Sequence, residues 1–283
     1  MPAGKKKRFI QNPWFFVPVG MVVVAVLLLL FPKVQSRYAL WQEERRLSAA
    51  HEQMANIPEA TPQTPSPNIP ATSDQPPAEK FAADLAALSP EKLPAEKLLT
   101  VPFICQNPFQ DQAGWEFHKE SCEEASLLQN VLFLTGKTVT PVEADKIFRD
   151  MIAWQKRPEN FGAHINLYGE DMVKFIIGYY GMSADQVVHL KNIDAEMIRK
   201  VITLGYPLII PIEGSLLKNP FYPEPGYHMM SVIGYTADQV ITNDVGTKRG
   251  EKYPYPWERF LHANSTVGSD AIVLLEAPKN MSQ

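Results

Sequence analysis

Apolar and polar positions divide the chain into unlike stretches. From Trp14 to Phe31 no residue is charged, and the stretch ends in Val-Val-Val-Ala-Val-Leu-Leu-Leu-Leu-Phe. A transmembrane helix needs about 17–25 such residues, so 14–31 is expected to span a membrane. Residues 36–54 have helical composition around a charged Glu43-Glu44-Arg45-Arg46 cluster. From Ile57 to Pro77 the chain is rich in Pro, Thr, Ser, Gln and Asn and nearly free of large apolar side chains. Such a composition cannot bury a core and is expected to stay extended or disordered. Helical patches follow around Phe81 to Leu88, broken by Pro90 and Pro94.

Beyond Leu98 the pattern is that of a folded domain, expected over 98–278 with a tail at 279–283. Val101 to Gln106 reads as a short strand. Ser121 to Leu134 predicts a helix stopped at Gly136, and Ser121 with Glu124 reads as a Ser-x-x-Glu capping box. Thr140-Pro141-Val142-Glu143 combines a cap, a proline at the first helical position and a glutamate at the third, which opens a second helix. Helices over about 170–180 and 194–204 stop at Gly181 and Gly205. The runs 207–212, 228–234, 239–244 and 271–276 predict strands, interrupted by a short helix around 256–263. Helices first and strands later, in one unit of this size, argue an α+β class.

Charge adds an orientation. Lys5, Lys6, Lys7 and Arg8 precede the apolar stretch, while only Lys33 and Arg37 closely follow it, with Arg45 and Arg46 farther on. The positive-inside rule then puts residues 1–13 in the cytoplasm and the rest of the chain outside the cell membrane. No small-x-small cleavage site appears in Pro32-Lys33-Val34-Gln35-Ser36-Arg37. An uncleaved single-pass anchor is therefore expected rather than a signal peptide. Residues 32–97 are the membrane-proximal segment and spacer.

A net charge of −4 over 283 residues carries no sign of nucleic-acid binding. Two cysteines exclude a multi-bridge framework, which leaves a single Cys105–Cys122 bridge as the structural use of these residues. His118, His164, His189 and His262 show no ligand spacing, so neither a metal nor another cofactor is expected.

Candidate chemistry centres on Cys122, His228 and Asp244. A thiolate is the reactive form of cysteine, and a helix N-terminus favours negative charge, so Cys122 at a helix start suits a nucleophile. Glu123 and Glu124 oppose that charge, so a protonated imidazole is needed to offset them. His228 is a polar residue opening an apolar strand, and Asp244 closes the next strand. A symmetric two-residue loop at Ala237-Asp238 would put these two on opposite sheet faces, because one register step flips every side chain. The catalytic reading therefore requires an odd-length loop or a bulge. Asn243 would then point to the other face. Acyl transfer also needs an oxyanion donor. Gln106, at the end of the first strand, is preferred to Gln112, in a loop.

These segments carry a family resemblance. Val-Pro-Phe-Ile-Cys-Gln, Ser-Cys-Glu-Glu-Ala-Ser-Leu-Leu, Gly-Tyr-His-Met-Met-Ser-Val-Ile-Gly-Tyr and Ile-Thr-Asn-Asp, in that order, resemble the bacterial peptidase-like domains related to the bacteriocin-processing, double-glycine leader cysteine peptidases of the papain-like superfamily. The resemblance covers residues 98–278. It implies a papain-like fold, with N-terminal helices packed on a C-terminal antiparallel sheet. It also implies Cys122 as nucleophile, His228 as base, Asp244 as its orienting acid and Gln106 as oxyanion donor. Two departures stand out: Ser-Cys-Glu-Glu-Ala-Ser replaces the common Gly-Cys-Gly-Pro-Thr-Ser, and Asn-Asp-Val replaces Asn-Asp-Pro. The expected activity is hydrolysis of peptide bonds in a peptide or protein by a membrane-anchored, extracytoplasmic enzyme. The alternatives are a cell-wall peptide amidase and a catalytically silent domain that binds peptides.

Overall fold

The computed structural model describes residues 16–61, 75–222 and 226–279. The chain divides into two compact units, Met1–Arg46 and Leu47–Gln283. The described part of the first unit belongs to helix α1 (Phe16–Met54), which continues into the second. Within the first unit, Tyr38 stacks on Trp41 and Arg46 pairs with Glu43. Among the described residues no helix is long and apolar enough to cross a membrane; Trp14 and Phe15 of the expected span lie outside them.

The second unit is a mixed α+β fold built on one sheet with helices on both faces. In chain order it contains β1 (Glu59–Ala60), α2 (Pro77–Ala87), β2 (Lys97–Leu99), α3 (Gln112–His118), α4 (Cys122–Thr135), α5 (Pro141–Gln155), α6 (Gly169–Tyr180), β3 (Val187–Lys191), α7 (Ala195–Thr203), β4 (Leu208–Glu213), β5 (Tyr227–Tyr235), β6 (Gln239–Asn243), β7 (Tyr253–Pro256), α8 (Trp257–Ser265) and β8 (Asp270–Leu274). The strand order is β1-β2-β5-β4-β8-β3, with β6 joined to β5 and β7 joined to β6. Pairing is antiparallel except between β1 and β2.

Burial follows the sequence pattern. One core gathers the apolar side of α4, α5 and α6 against Ile209, Met229, Ile272 and Leu274 of the sheet. The other gathers Ile198, Val201 and Ile202 of α7 and Phe260 of α8 against Ile210, Ile212, Met230 and Val232. Alternate strand residues thus serve opposite cores, as the two-residue strand period requires. Leu47, Met54, Ile57 and Phe81 are buried in the second core, so parts of the stretch expected to be spacer are packed. Phe81 meets Tyr206 edge-on, which shows how one aromatic residue fixes a Pro-flanked helix.

Two expected local features are replaced. Val101 to Gln106 is not a strand. Pro102 cannot donate to a ladder. The segment is held instead by Gln106 N–H to Val245 O and by the Asn243 carboxamide to Val101 O. The capping box at Ser121 does not form: Ser121 makes no side-chain cap, whereas Thr140 and Glu143 make both bonds of theirs. Glu124 is buried, and Gln155 and His164 take its carboxylate, so it cannot turn back to the cap.

Candidate active site

Helix α4 is buried on nearly every side from Cys122 to Phe133. It packs against β5 and buries polar as well as apolar side chains, Glu123, Glu124, Ser126, Gln129 and Asn130 among them. Cys122 is only 5% exposed. Its sulfur meets the Met229 backbone N–H, and its thiol donates to Glu123 Oε2 at 3.0 Å. Burial, and then the neighbouring Glu123 and Glu124, push the thiol well above its usual range.

Strand β5 carries His228 next to Met229. A two-residue loop at 237–238 closes the β5–β6 hairpin, with Thr236 N–H donating to Gln239 O. Near the turn Tyr235 faces Val240; beyond it the register shifts between Val232 and Gly234, so that Ser231 faces Asn243. That bulge supplies the odd residue which the two-residue loop lacks. His228 and Asp244 therefore share a face, and His228 Nε2 meets Asp244 Oδ1 at 2.9 Å. Asn243 turns the other way, to Val101 O and Lys252 N–H.

Asp244 is almost fully buried and densely hydrogen-bonded. Oδ2 accepts from Tyr255 Oη at 2.6 Å and from Asn219 Nδ2 at 3.0 Å, and Oδ1 accepts from Gly246 N–H at 3.0 Å. Burial pushes its carboxyl up, but bonds from His228, Tyr255 and Gly246 hold it below its usual 3.8. His228 Nδ1 is different: it is buried and has no hydrogen-bond partner among the described residues. One imidazole nitrogen is anchored and the other is open, the arrangement a general base needs.

Gln106 is fully buried, and both of its Nε2 hydrogens are engaged, by His118 O at 3.1 Å and Lys119 O at 2.8 Å. Its Oε1 has no hydrogen-bond partner among the described residues, and the Tyr222 phenol lies beside the carboxamide. Gln112 is exposed and bonds Glu116 along α3. The arrangement thus brings Gln106, not Gln112, to the cysteine–histidine cluster. Cys105 and Cys122 are both free thiols.

Sequence reasoning overlooked Tyr222, whose ring stands edge-on to His228 at 5.0 Å between centroids. Trp115 braces it from α3, and a Cβ on Gly246 would come within 2.5 Å of its ring. Its only signal in the sequence was the aromatic residues that stand near it, Phe221 and Tyr227. Also overlooked were Asn219 and Tyr255, which lack any local motif, and the role of Glu123 as the hydrogen-bond acceptor of the thiol. A cleft of about 650 Å³ opens beside the cluster, lined among others by Cys105, Trp115, Glu120, Tyr222 and Tyr227.

Glu123 is buried, and its other oxygen accepts from Leu167 N–H at 3.1 Å. Burial and then the Glu124 charge raise its carboxyl to about 7. Among the described residues no cluster of three or more His, Cys, Asp or Glu side chains is arranged to hold a metal ion.

Comparison with known proteins gives this cluster a context. No curated protein matches the chain. Among solved structures, a C39-like peptidase from Bacillus anthracis is 19% identical with a TM-score of 0.43, covering 64% of this chain and 96% of that one. Xylellain, a cysteine protease from Xylella fastidiosa, is 14% identical with a TM-score of 0.42, covering 68% of this chain and 88% of that one. The model of the Peptidase_C39 like family matches residues 98–270, more than half of the chain. The protein therefore belongs to the Peptidase_C39 like family and is a cysteine-type peptidase.

Proposed function

We propose that the protein is a membrane-anchored, extracytoplasmic peptidase that hydrolyses peptide bonds through Cys122, His228 and Asp244. The observation that carries this reading is the asymmetric histidine: Nε2 is fixed on Asp244 while Nδ1 is buried and open, on the strand whose next N–H meets the Cys122 sulfur. In the proposed reaction His228 Nδ1 takes the thiol proton, and the thiolate attacks the scissile carbonyl carbon. The C–N bond then breaks as His228 returns the proton to the leaving amine. Water, deprotonated by His228, hydrolyses the resulting thioester and releases the acid and the free thiol.

The oxyanion is received by the Cys122 backbone N–H, which as the first N–H of α4 has no helical partner. Gln106 is the second donor. It reaches the oxyanion by giving up one of its two carbonyl bonds when substrate binds, which makes its contribution smaller than that of a free amide.

The anchor is residues 14–31, with 1–13 in the cytoplasm and the peptidase unit outside. The support is the uncharged stretch and the excess of basic residues before it. The full chain should resist alkaline extraction from membranes, and external protease should remove its C-terminal unit from intact spheroplasts. Recovery in the soluble fraction would defeat the anchor. Cys122→Ala should abolish cleavage of a fluorogenic peptide library, a loss of at least about 10³-fold. Retained turnover in that variant would defeat the enzymatic assignment.

A further inference from the structure

The thiol is held by a carboxylate, and nothing in the proposed reaction uses that contact. Cys122 donates to Glu123 Oε2 at 3.0 Å, and both groups are buried at the first turn of α4. A carboxylate in that place is an obstacle. It accepts the S–H, and it would face a thiolate at hydrogen-bond distance with no water between them. Like charges so close in a dry site oppose each other strongly. The neutral acid has the opposite effect, because its O–H can donate to the sulfur and stabilise the thiolate as it forms.

Other groups near the carboxyl do little to keep it ionised. The donors that reach Glu123 are neutral: the thiol, the Leu167 N–H and its own N–H. On the same helix stands Glu124, itself buried, its Oε2 without a hydrogen-bond partner among the described residues. From the loop before α6, His164 gives its Nε2 to Glu124 at 3.2 Å, and Lys156 acts on His164. From β5, Tyr227 lies near Glu123 but donates its hydroxyl to Leu167 O, with Tyr168 and Asp270 as its other charged or ionisable neighbours. His228, also on β5, gives its Nε2 to Asp244 and not to Glu123. The cationic partner thus serves Glu124, and the Glu123 carboxyl is left with an acidic neighbour.

We propose that Glu123 is a catalytic proton gate: its carboxyl must be protonated for Cys122 to act, and it then donates its O–H to the Cys122 sulfur. The proton comes from solvent and stays on Glu123 through acylation, while the thiol proton goes to His228 Nδ1 and on to the leaving amine. The peptidase therefore works on the acidic side of neutrality and shuts off as Glu123 ionises. Glu123→Gln imitates the open gate, since its carbonyl can accept from Leu167 N–H and its N–H can donate to sulfur.

This inference rests on Cys122 being the nucleophile. The test measures the rate of Cys122 alkylation by iodoacetamide, mapped by mass spectrometry, and kcat/KM on the peptide library, for the full chain between about pH 5 and 9. The wild type should lose rate roughly tenfold per pH unit above the gate's midpoint, against the rise of an ordinary thiol. Glu123→Gln should lack that falling limb and outpace the wild type by at least about 10-fold near pH 8.5. Glu124→Gln removes the neighbouring charge and should move the limb to lower pH. The same limb in Glu123→Gln, or a wild-type rate that climbs with pH, overturns the gate. If Glu123→Gln does not fold, the infrared carboxyl band decides. A protonated carboxyl band at acid pH that shifts on alkylation of Cys122 supports the gate, and a band that does not respond overturns it. Activity that survives Cys122→Ala overturns the nucleophile assignment instead, and is a separate result.

Discussion

Two buried histidines in this molecule sit on carboxylates in the same way, yet differ in what remains free. His228 meets Asp244 through Nε2 at 2.9 Å and leaves Nδ1 open. His118 meets Asp145 through Nε2 at 2.7 Å, and its Nδ1 meets Ser121 Oγ at 3.2 Å. On paper the second set is a serine–histidine–aspartate row. It is saturated, however, and His118 is wholly buried between Phe117 and Phe148. Its Asp145 is shared with Arg149. A histidine with both nitrogens spent holds structure; one with a nitrogen to spare can move a proton. His118 also sets the scene for the other pair, since its carbonyl is one of the two that hold Gln106.

Variants should separate the pairs. His228→Ala should reduce kcat/KM by at least about 10³-fold, because it removes the proposed base. Asp244→Asn should cost about 10²–10⁴-fold, by loosening the imidazole and its tautomer. Tyr255→Phe removes one donor from Asp244 and should cost only a few-fold in kcat, with KM unchanged. His118→Gln should leave kcat/KM within about threefold but lower stability by about 1–3 kcal/mol, measured by urea unfolding. A large loss of activity at constant stability in that last variant would erase the distinction.

A pH series sharpens the same contrast. Burial, ahead of the Asp145 bond, lowers His118 below its usual 6.5. The unfolded chain therefore binds a proton before the folded one does. The stability from neutral His118 is complete above about 6.5 and declines as pH falls toward the folded value. The wild type should lose unfolding free energy over that range, and His118→Gln should lose less.

Much of this was legible in the sequence because the signals are local. The helix stops at Gly136 and Gly181 take the left-handed conformation, φ 65° and 64°, that glycine suits. The cap at Thr140 forms as written. The strands β4, β5, β6 and β8 fall where apolar runs stand. The misses are tertiary. Ser121 looked like a cap but faces His118, and β7 in Tyr253-Pro-Tyr-Pro was not among the expected strands because its prolines mask an edge strand. Gln106 was singled out by type and place, but two backbone carbonyls of a helix end, invisible in a linear reading, occupy its amide. Phe81 shows the same limit: its segment was expected to be spacer, and a single side chain anchors it.

The register shift between Val232 and Gly234 sets a rule for how this hairpin can vary. Fifteen residues lie between His228 and Asp244, and at that spacing parity decides whether the two share a face. Turns whose lengths differ by an even number then keep every side chain on its face. A turn one residue longer or shorter, at the same spacing, must be matched by losing the bulge or gaining another. Turn length and bulge are thus heritable only as a couple, and a homologous hairpin that lacks one should be found to lack the other.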